Sequence, residues 1–116
     1  MAEIIIAGFI RIHPDDRQPA VDAAADAIAG ARTQPGCLAY SFVPDNHMED
    51  AIVVYERWAD QASLEAHFAG PWYKATGEVL RSHRLQGANE VQKFRIDKAE
   101  PVYDDTHTPR ADFFTD

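Results

Sequence analysis

The sequence predicts a single α+β domain in which an antiparallel sheet of four strands carries its helices on one face. The hydrophobic periodicity alternates between strand and helix in the order β-α-β-β-α-β, which repeats one split unit twice. Right-handed crossovers in both units place the two helices on the same side of the sheet. A chain of 116 residues with 46% hydrophobic content can build one core without disulfides or structural metals. This combination predicts a ferredoxin-like fold.

The first half of the chain supplies strand, helix and strand. Residues 3–13 are β-branched and aromatic on both faces, which is typical of a central strand. An alanine-rich amphipathic helix is predicted from Asp15 to Pro35-Gly36. Strand alternation returns from Cys37 to Val43, and the polar stretch 44–50 then predicts a hairpin connection.

The second half repeats the pattern with an interruption. Ala51 to Trp58 is predicted as the third strand, and Asp60 is the expected N-cap of the helix that follows. Gly70-Pro71 breaks the helical stripe, so the second helical region is expected to be kinked or split. Val91 to Ile96 alternates as the fourth strand.

Composition and charge exclude several classes of function. A net charge of −8, from 19 acidic and 11 basic residues, disfavours nucleic acid as a partner because that affinity depends on Lys and Arg. No apolar run approaches the roughly 20 residues that span a bilayer, so a membrane protein is not expected. The single cysteine, Cys37, and an N-terminus unlike a signal peptide indicate a soluble, cytoplasmic protein.

The sequence contains none of the common cofactor motifs. Gly-rich phosphate loops, a G-x-S-x-G elbow, C-x-x-C and H-E-x-x-H are all absent. The five histidines lie far apart, and none stands four residues from another or from the cysteine. We therefore predict no cofactor and no metal.

The face of the sheet away from the helices is expected to bind a second copy of the chain. Bulky apolar residues occupy both faces of strands one and three, and large exposed apolar patches usually mark partner surfaces. This predicts a homodimer packed sheet to sheet. The domain is expected to span residues 1–98, and the acidic tail 99–116 is either irregular or ordered against the neighbouring subunit.

Chemical interest concentrates where the third strand passes into the helix. Glu56 and Trp58 share one strand face, and His67 lies on the apolar side of the helix, between Leu64 and Phe68. A lone histidine in this position is more often a hydrogen-bonded packing residue than a catalyst. Beside an indole in a half-apolar cleft, it can also serve as a base or a substrate clamp.

The same segment resembles the antibiotic biosynthesis monooxygenase family. The run V-V-Y-E-R-W-A-D-Q-A-S-L-E-A-H extends from Val53 to His67, and the glycine after Pro35 leads into the second strand as it does in the family. The resemblance covers roughly residues 3–97. It is carried mainly by Gly36, Tyr40, Tyr55, Glu56, Trp58 and His67.

The resemblance implies a dimeric α+β barrel with a small-molecule cavity between sheet and helices. The family includes oxygenases that need neither flavin nor metal, haem-degrading enzymes and an isomerase-like branch, so the fold does not determine the reaction. The haem-degrading members carry an asparagine on the first strand, where this chain has Ala7, Gly8 and Phe9. Many members also have a second histidine where this chain has Gly70-Pro71-Trp72-Tyr73, which implies an aromatic pocket wall.

The function favoured on these grounds is a cofactor-independent monooxygenase that acts on a small aromatic molecule, such as a hydroquinone or a polyketide-like phenol, with dioxygen. The resemblance places Trp58 in the cavity lining and brings His67 to the substrate, and Glu56 is given a structural role. The hypothesis assigns His67 as base or proton shuttle and Trp58 as ring platform. Candidate substrate-binding residues are Tyr40, Tyr55, Trp72 and Tyr73.

Three points stay open at the level of sequence. Strand periodicity does not say which of Tyr40 and Tyr55 faces the helices. Trp72 and Tyr73 are as well explained by core packing as by substrate contact. A non-catalytic barrel that binds a small molecule, or an isomerase that uses the same histidine, would have the same sequence features.

Overall fold

The computed structural model describes residues 2–88 and 90–115. In this part of the chain, four strands and three helices follow one another in the predicted order, with the second helical region divided in two. The elements are β1 (Ile4–Arg11), α1 (Pro14–Arg32), β2 (Cys37–Pro44), β3 (Ala51–Trp58), α2 (Gln61–Phe68), α3 (Pro71–Arg81) and β4 (Glu90–Arg95). The predicted α+β fold class is confirmed.

The sheet is antiparallel throughout, with the strand order β2-β3-β1-β4. On β3, Glu56 lies opposite Ile6 of β1 and opposite Tyr40 of β2. Residues that lie directly opposite in such a ladder point to the same face, so these three side chains share the face that the helices cover. A bulge at the start of β2 makes Leu38 an extra residue, and its side chain is exposed.

Helix α1 packs through small residues. Pro14 occupies its first turn, where no N–H is needed, and the Nδ1 atom of His13 accepts a hydrogen bond of 3.1 Å from the backbone N–H of Asp15. The buried side of α1 consists of Ala20, Ala24, Ala27, Ile28 and Ala31. Because these side chains are short, α1 approaches the sheet and the neighbouring helix closely.

Helix α3 packs against α1 more than against the sheet. The contact depends on Gly30 of α1, because a Cβ atom at this position would lie 2.3 Å from the indole ring of Trp72. Lying on α1, α3 leaves the inner side of β1 and β4 partly uncovered. This gap between sheet and helix becomes the cavity described below.

The connection from β3 into α2 follows the sequence signals. The carboxylate of Asp60 accepts hydrogen bonds of 2.8 Å from the backbone N–H and from the hydroxyl of Ser63, which confirms the predicted N-cap. Gly36 has φ +82° and lies against Ser63, where a Cβ atom would be 2.0 Å from its Oγ. Pro71 begins α3 and has no N–H to continue α2, which explains the split at Gly70-Pro71.

The outer face of the sheet and the C-terminal segment lie apart from the helices. Val43, Tyr55 and Phe94 are exposed, and the strand register places all three on the face of the sheet opposite to that of Glu56. In the segment 99–115, Tyr103 and Pro109 form a β-bridge around a loop. Among the described residues, the hydrogen bonds of this segment join it to itself or to Lys98.

Candidate active site

The inner face of β3 brings a carboxyl and an indole together. Strand alternation places Glu56 and Trp58 on the side that faces the helices, and both are buried there. The Nε1–H group of Trp58 donates a hydrogen bond of 3.0 Å to Oε1 of Glu56. Burial raises the pKa of Glu56 to about 7, and the bond from Trp58 acts in the opposite direction. Glu56 can therefore exchange a proton near neutral pH.

His67 lies on the inner side of α2 and is fully buried. Its Nδ1 atom is 2.7 Å from Oε1 of Gln34, and because this amide oxygen only accepts, Nδ1 carries the hydrogen and donates it. The other ring nitrogen, Nε2, is buried without a hydrogen-bond partner among the described residues. Burial lowers the pKa of His67 to about 4, so the ring is neutral at pH 7 and Nε2 presents a lone pair.

Aromatic rings surround the imidazole of His67. Its ring centre lies 4.5 Å from that of Trp58 and 5.2 Å from that of Tyr40. Phe68 and Tyr73 complete the group at 5.7 Å and 5.5 Å. These distances are typical of stacked and edge-on aromatic contacts. The cluster of His67 with these four rings is called the aromatic cluster below.

Tyr40 joins the aromatic cluster to Glu56. The two residues are opposite each other in the register of β2 and β3, and Tyr40 is buried. Burial and the neighbouring Glu56 raise the pKa of Tyr40, while a hydrogen bond with Thr76 of α3 lowers it. Tyr40 therefore stays protonated at neutral pH and keeps a hydroxyl hydrogen to donate.

A cavity of about 850 Å³ lies between the sheet and the helices α2 and α3. This volume is in the range of small-molecule binding sites. Three polar side chains, Tyr40, Glu56 and Thr76, contribute to its inner wall. Its apolar lining includes Ile4, Ile6, Ile10, Phe42, Val54, Leu64, Phe68, Leu80 and Val91. The cavity is thus mainly apolar, with one carboxyl group, that of Glu56, in its buried part.

The structure separates the predicted site residues into two groups. Tyr40 and Tyr73 line the cavity. Trp58 and His67 belong to the aromatic cluster but do not form part of the cavity wall, although three of their aromatic neighbours do. The predicted pair is therefore one layer behind the surface that a small molecule would touch.

The other two predicted substrate-binding residues lie elsewhere. Tyr55 is on the outer face of the sheet, so the question that periodicity left open is resolved in favour of Tyr40 as the inward tyrosine. Trp72 lies against Gly30 of α1 and does not line the cavity. The structure brings neither residue to Glu56.

Three residues of the site were not singled out as functional by sequence reasoning. For Glu56 the signal was present, because strand alternation put it on the same face as Trp58, but a structural role was expected for this carboxyl. Thr76 lies in helical phase with Trp72, and this spacing was the available signal. Gln34 contacts His67 only through the tertiary fold, since 33 residues separate them.

The part of the chain that the structure describes holds neither a cluster of metal-ligating side chains nor a membrane-spanning helix. Within residues 2–88 and 90–115, no group of three or more His, Cys, Asp or Glu side chains is arranged to hold a metal ion. In the same ranges, no helix combines the length and the apolar character needed to cross a membrane.

Comparison with known proteins assigns the family. The model of the antibiotic biosynthesis monooxygenase family matches residues 3–79, which is well over half of the chain. This chain belongs to that family. The matched range extends from β1 to the last turn of α3 and so includes Tyr40, Glu56, Trp58 and His67. The resemblance seen in the sequence is confirmed.

Two known proteins are similar to this chain at low sequence identity. The Synechocystis protein sll1783 is 31% identical over 70 residues, which are 60% of this chain and 48% of the relative. The chain thus spans about half the length of sll1783. YcnE of Bacillus subtilis is 26% identical over 87 residues, covering 71% of this chain and 90% of YcnE.

A solved structure supports the shared fold. A mutant of SnoaB, a cofactor-independent oxygenase from Streptomyces nogalater, superimposes with a TM-score of 0.65. The similarity covers 85% of this chain and 97% of the SnoaB chain at 18% sequence identity. At this identity, the likeness establishes a common architecture.

Proposed function

We propose that this protein is a monooxygenase that oxygenates a small phenol or hydroquinone without a bound cofactor. One observation carries the proposal: Glu56, a buried carboxyl whose pKa is raised to about 7, faces a mainly apolar cavity of about 850 Å³. Such a group is well matched to removing a phenolic proton at neutral pH. Membership of the family makes oxygenation the reaction to test first.

The substrate itself supplies the electrons in this reaction. Glu56 takes the phenolic proton, and the resulting electron-rich anion reacts with dioxygen, which enters the apolar cavity readily. For a simple hydroquinone, one oxygen atom enters the ring to give a hydroxyquinone, and the other leaves as water. The substrate provides all four electrons, so no external reductant is needed.

Neighbouring residues hold the base and the anion. Trp58 donates its indole N–H to Glu56 and so positions the carboxylate. The hydroxyls of Tyr40 and Tyr73, both on the cavity wall, are the candidate donors to the substrate oxygen. In this proposal Trp58 acts through Glu56 and not as a platform for the ring.

His67 is the second candidate for the base, as the sequence predicted. Its Nε2 lone pair has no hydrogen-bond partner within the part of the chain that the structure describes, and Tyr40, Phe68 and Tyr73 lie between it and the cavity. Phe68 and Tyr73 are exposed, and a change of their rotamers would open a path to Nε2. The two candidates differ in pKa by about three units, so pH dependence separates them.

Oxygen uptake across a panel of hydroquinones tests the proposal. With Glu56 as the base, the rate rises with pH through about 7, because the carboxylate is the active form. The E56Q variant should lose this rise and at least about 100-fold in rate. The matched control is E78Q, which changes an exposed acid of α3 that does not line the cavity.

Three other outcomes have distinct meanings. A rise centred near pH 4 that disappears in H67Q would make His67 the base instead of Glu56. Equal oxygen uptake by the wild type, E56Q and H67Q would contradict base catalysis by either residue. Tight binding of phenols with no oxygen uptake would show a binding protein and exclude the monooxygenase.

We also propose that the protein acts as a homodimer formed through the outer face of the sheet. The support is the exposed apolar surface of Val43, Tyr55 and Phe94, which the helices do not cover. A second copy of the chain presents the same surface, so two copies can bury it against each other around a two-fold axis. In such a dimer, each protomer keeps its own cavity on the opposite side of the sheet.

A further inference from the structure

Three basic side chains line the cavity and are exposed to solvent, which places them where the cavity opens: Arg81, Lys93 and Arg95. Lys93 and Arg95 are on β4, where they lie opposite Ile6 and Ile4 of β1. Both isoleucines line the cavity, and directly opposite residues share a face, so the two cations are on the cavity side of the sheet. Arg81, at the end of α3, lines the opening from the helical side.

These three cations are unpaired within residues 2–88 and 90–115, whereas the other six arginines of the chain are all engaged. None of the ion pairs or side-chain hydrogen bonds in the described part of the chain has Arg81, Lys93 or Arg95 as its donor. The engaged side chains are Arg11, Arg17, Arg32, Arg57, Arg84 and Arg110. Unpaired positive charge at one opening is notable in a chain of net charge −8.

The position of Arg81 is supported by the backbone beneath it. A Cβ atom on Gly77 would lie 2.9 Å from Nη1 of Arg81, so the guanidinium lies back over this glycine. Gly77 itself lines the cavity. The absence of a side chain at residue 77 therefore lets Arg81 keep its charge along the cavity wall.

The remaining charges that line the cavity offset this group only in part. Arg11 is held by Asp50 and Glu90 in ion pairs of 3.1 Å and 2.5 Å. Glu65 of α2 also lines the cavity and keeps its negative charge, since its hydrogen bond of 3.1 Å comes from the uncharged amide of Gln61. Glu56 lies in the buried part of the cavity, bonded to Trp58. Among the described lining residues that are exposed, the three unpaired cations thus outnumber the one carboxylate of Glu65, and the buried part of the cavity carries Glu56.

We propose that the opening binds a carboxylate carried by the substrate, so that the substrate class is a phenolic carboxylic acid. This inference rests on the proposed function, because it places the phenolic hydroxyl at Glu56 and the acid group at the opposite end. The ring lies between them, against Ile4, Ile6 and Phe42. The three cations set both the preference for an anion and the orientation of the ring.

Binding of two matched probes tests the inference. Gentisate, 2,5-dihydroxybenzoate, carries a carboxylate at pH 7.5, and its methyl ester has the same ring and hydroxyls without the charge. Calorimetry under anaerobic conditions should show gentisate binding to the wild type about tenfold more tightly than the ester. The preference should weaken as salt is raised, because the cations are exposed.

Two triple variants of equal charge locate the effect. R81Q/K93Q/R95Q should bind gentisate and the ester with equal affinity. K74Q/R84Q/R110Q removes the same number of charges away from the cavity lining and should keep the preference. Circular dichroism checks that each variant is folded.

The inference is overturned if gentisate does not bind the wild type, if the ester binds equally well, or if the preference survives in R81Q/K93Q/R95Q. Because oxygen is excluded, none of these results depends on turnover. Conversely, oxygen uptake with a neutral hydroquinone but no preference for gentisate would leave the proposed function standing and remove only the substrate class.

Discussion

Two buried ionisable residues of opposite character stand within one small region of the protein. Burial raises the pKa of Glu56 to about 7 and lowers that of His67 to about 4, since low polarity disfavours the charged form of each. Their effects on stability have opposite signs. Through Glu56, the folded protein loses stability as the pH rises from the pKa of the unfolded chain, near 4.5, to the folded pKa of about 7. Through His67, it loses stability as the pH falls from the unfolded pKa of 6.5 to the folded pKa of about 4.

Acid stability tests the environment of His67. The depressed pKa predicts that the wild type loses about 3 kcal/mol through this residue between pH 6.5 and pH 4. The H67Q variant lacks this loss, so its free energy of unfolding should approach that of the wild type as the pH falls. Urea unfolding at pH 7 and at pH 4 measures the difference.

A matched change elsewhere controls for general acid effects. His47 is exposed on the loop between β2 and β3, and H47Q should follow the wild type at both pH values. A constant difference between H67Q and the wild type across this pH range would contradict a neutral, buried imidazole.

At the scale of elements, the site depends on where α3 lies. Lying on α1, α3 leaves an opening above β1 and β4 and still brings Thr76 and Tyr73 to the cavity wall. The close approach requires Gly30, since any side chain there meets the ring of Trp72. Glycine inside a helix lowers its stability relative to alanine, so α1 loses some helix propensity at Gly30 and gains the contact with Trp72.

Two glycine-to-alanine variants are expected to have opposite effects. G30A places a Cβ atom 2.3 Å from the Trp72 ring, and we expect a loss of about 1–2 kcal/mol in the free energy of unfolding. G77A meets only the movable end of Arg81 and should gain about 0.5–1 kcal/mol from helix propensity. Chemical denaturation measures both, and stabilisation by G30A would contradict the proposed helix contact.

At the scale of the whole molecule, the chain exposes more surface than a monomer of its size. Its accessible surface is 7582 Å², against about 6300 Å² for a typical monomeric protein of 13.0 kDa. The radius of gyration is 16.0 Å, against about 13 Å for a compact domain of this length. Both values are larger than expected in part because the C-terminal segment extends its aromatic residues Tyr103 and Phe113 into solvent.

Light scattering coupled to size exclusion tests the dimer. We expect a dimer at micromolar concentration, and Y55K should dissociate it by placing an unpaired charge in the apolar interface. A62K adds the same charge to the exposed side of α2 and should leave the dimer intact. A monomeric wild type would refute the proposal. The sequence left open whether the C-terminal tail is irregular or is ordered against the neighbouring subunit. Deletion of residues 101–116 distinguishes the two, because only a tail ordered against the partner contributes to dimer stability.

Local signals in the chain were sufficient for the fold. Strand alternation, the Asp60 N-cap and the Gly70-Pro71 break each depend on residues near one another in sequence, and the structure confirms all three. The same is true of the family, because its motif is a continuous run through Trp58 to His67. These features were predictable because short-range geometry and hydrophobic period determine them.

The composition of the cavity wall was decided only by tertiary packing. Sequence alternation put Glu56 and Trp58 on one face, but the position of α3 determined that Glu56 meets the cavity while Trp58 and His67 lie behind it. The partner of His67, Gln34, is likewise brought in from the end of another helix. Sequence by itself determined the fold, the family and the residues of the inner face, because these follow from local periodicity. Which of them a small molecule can reach depends on how far two helices approach each other, and only the folded chain sets that distance.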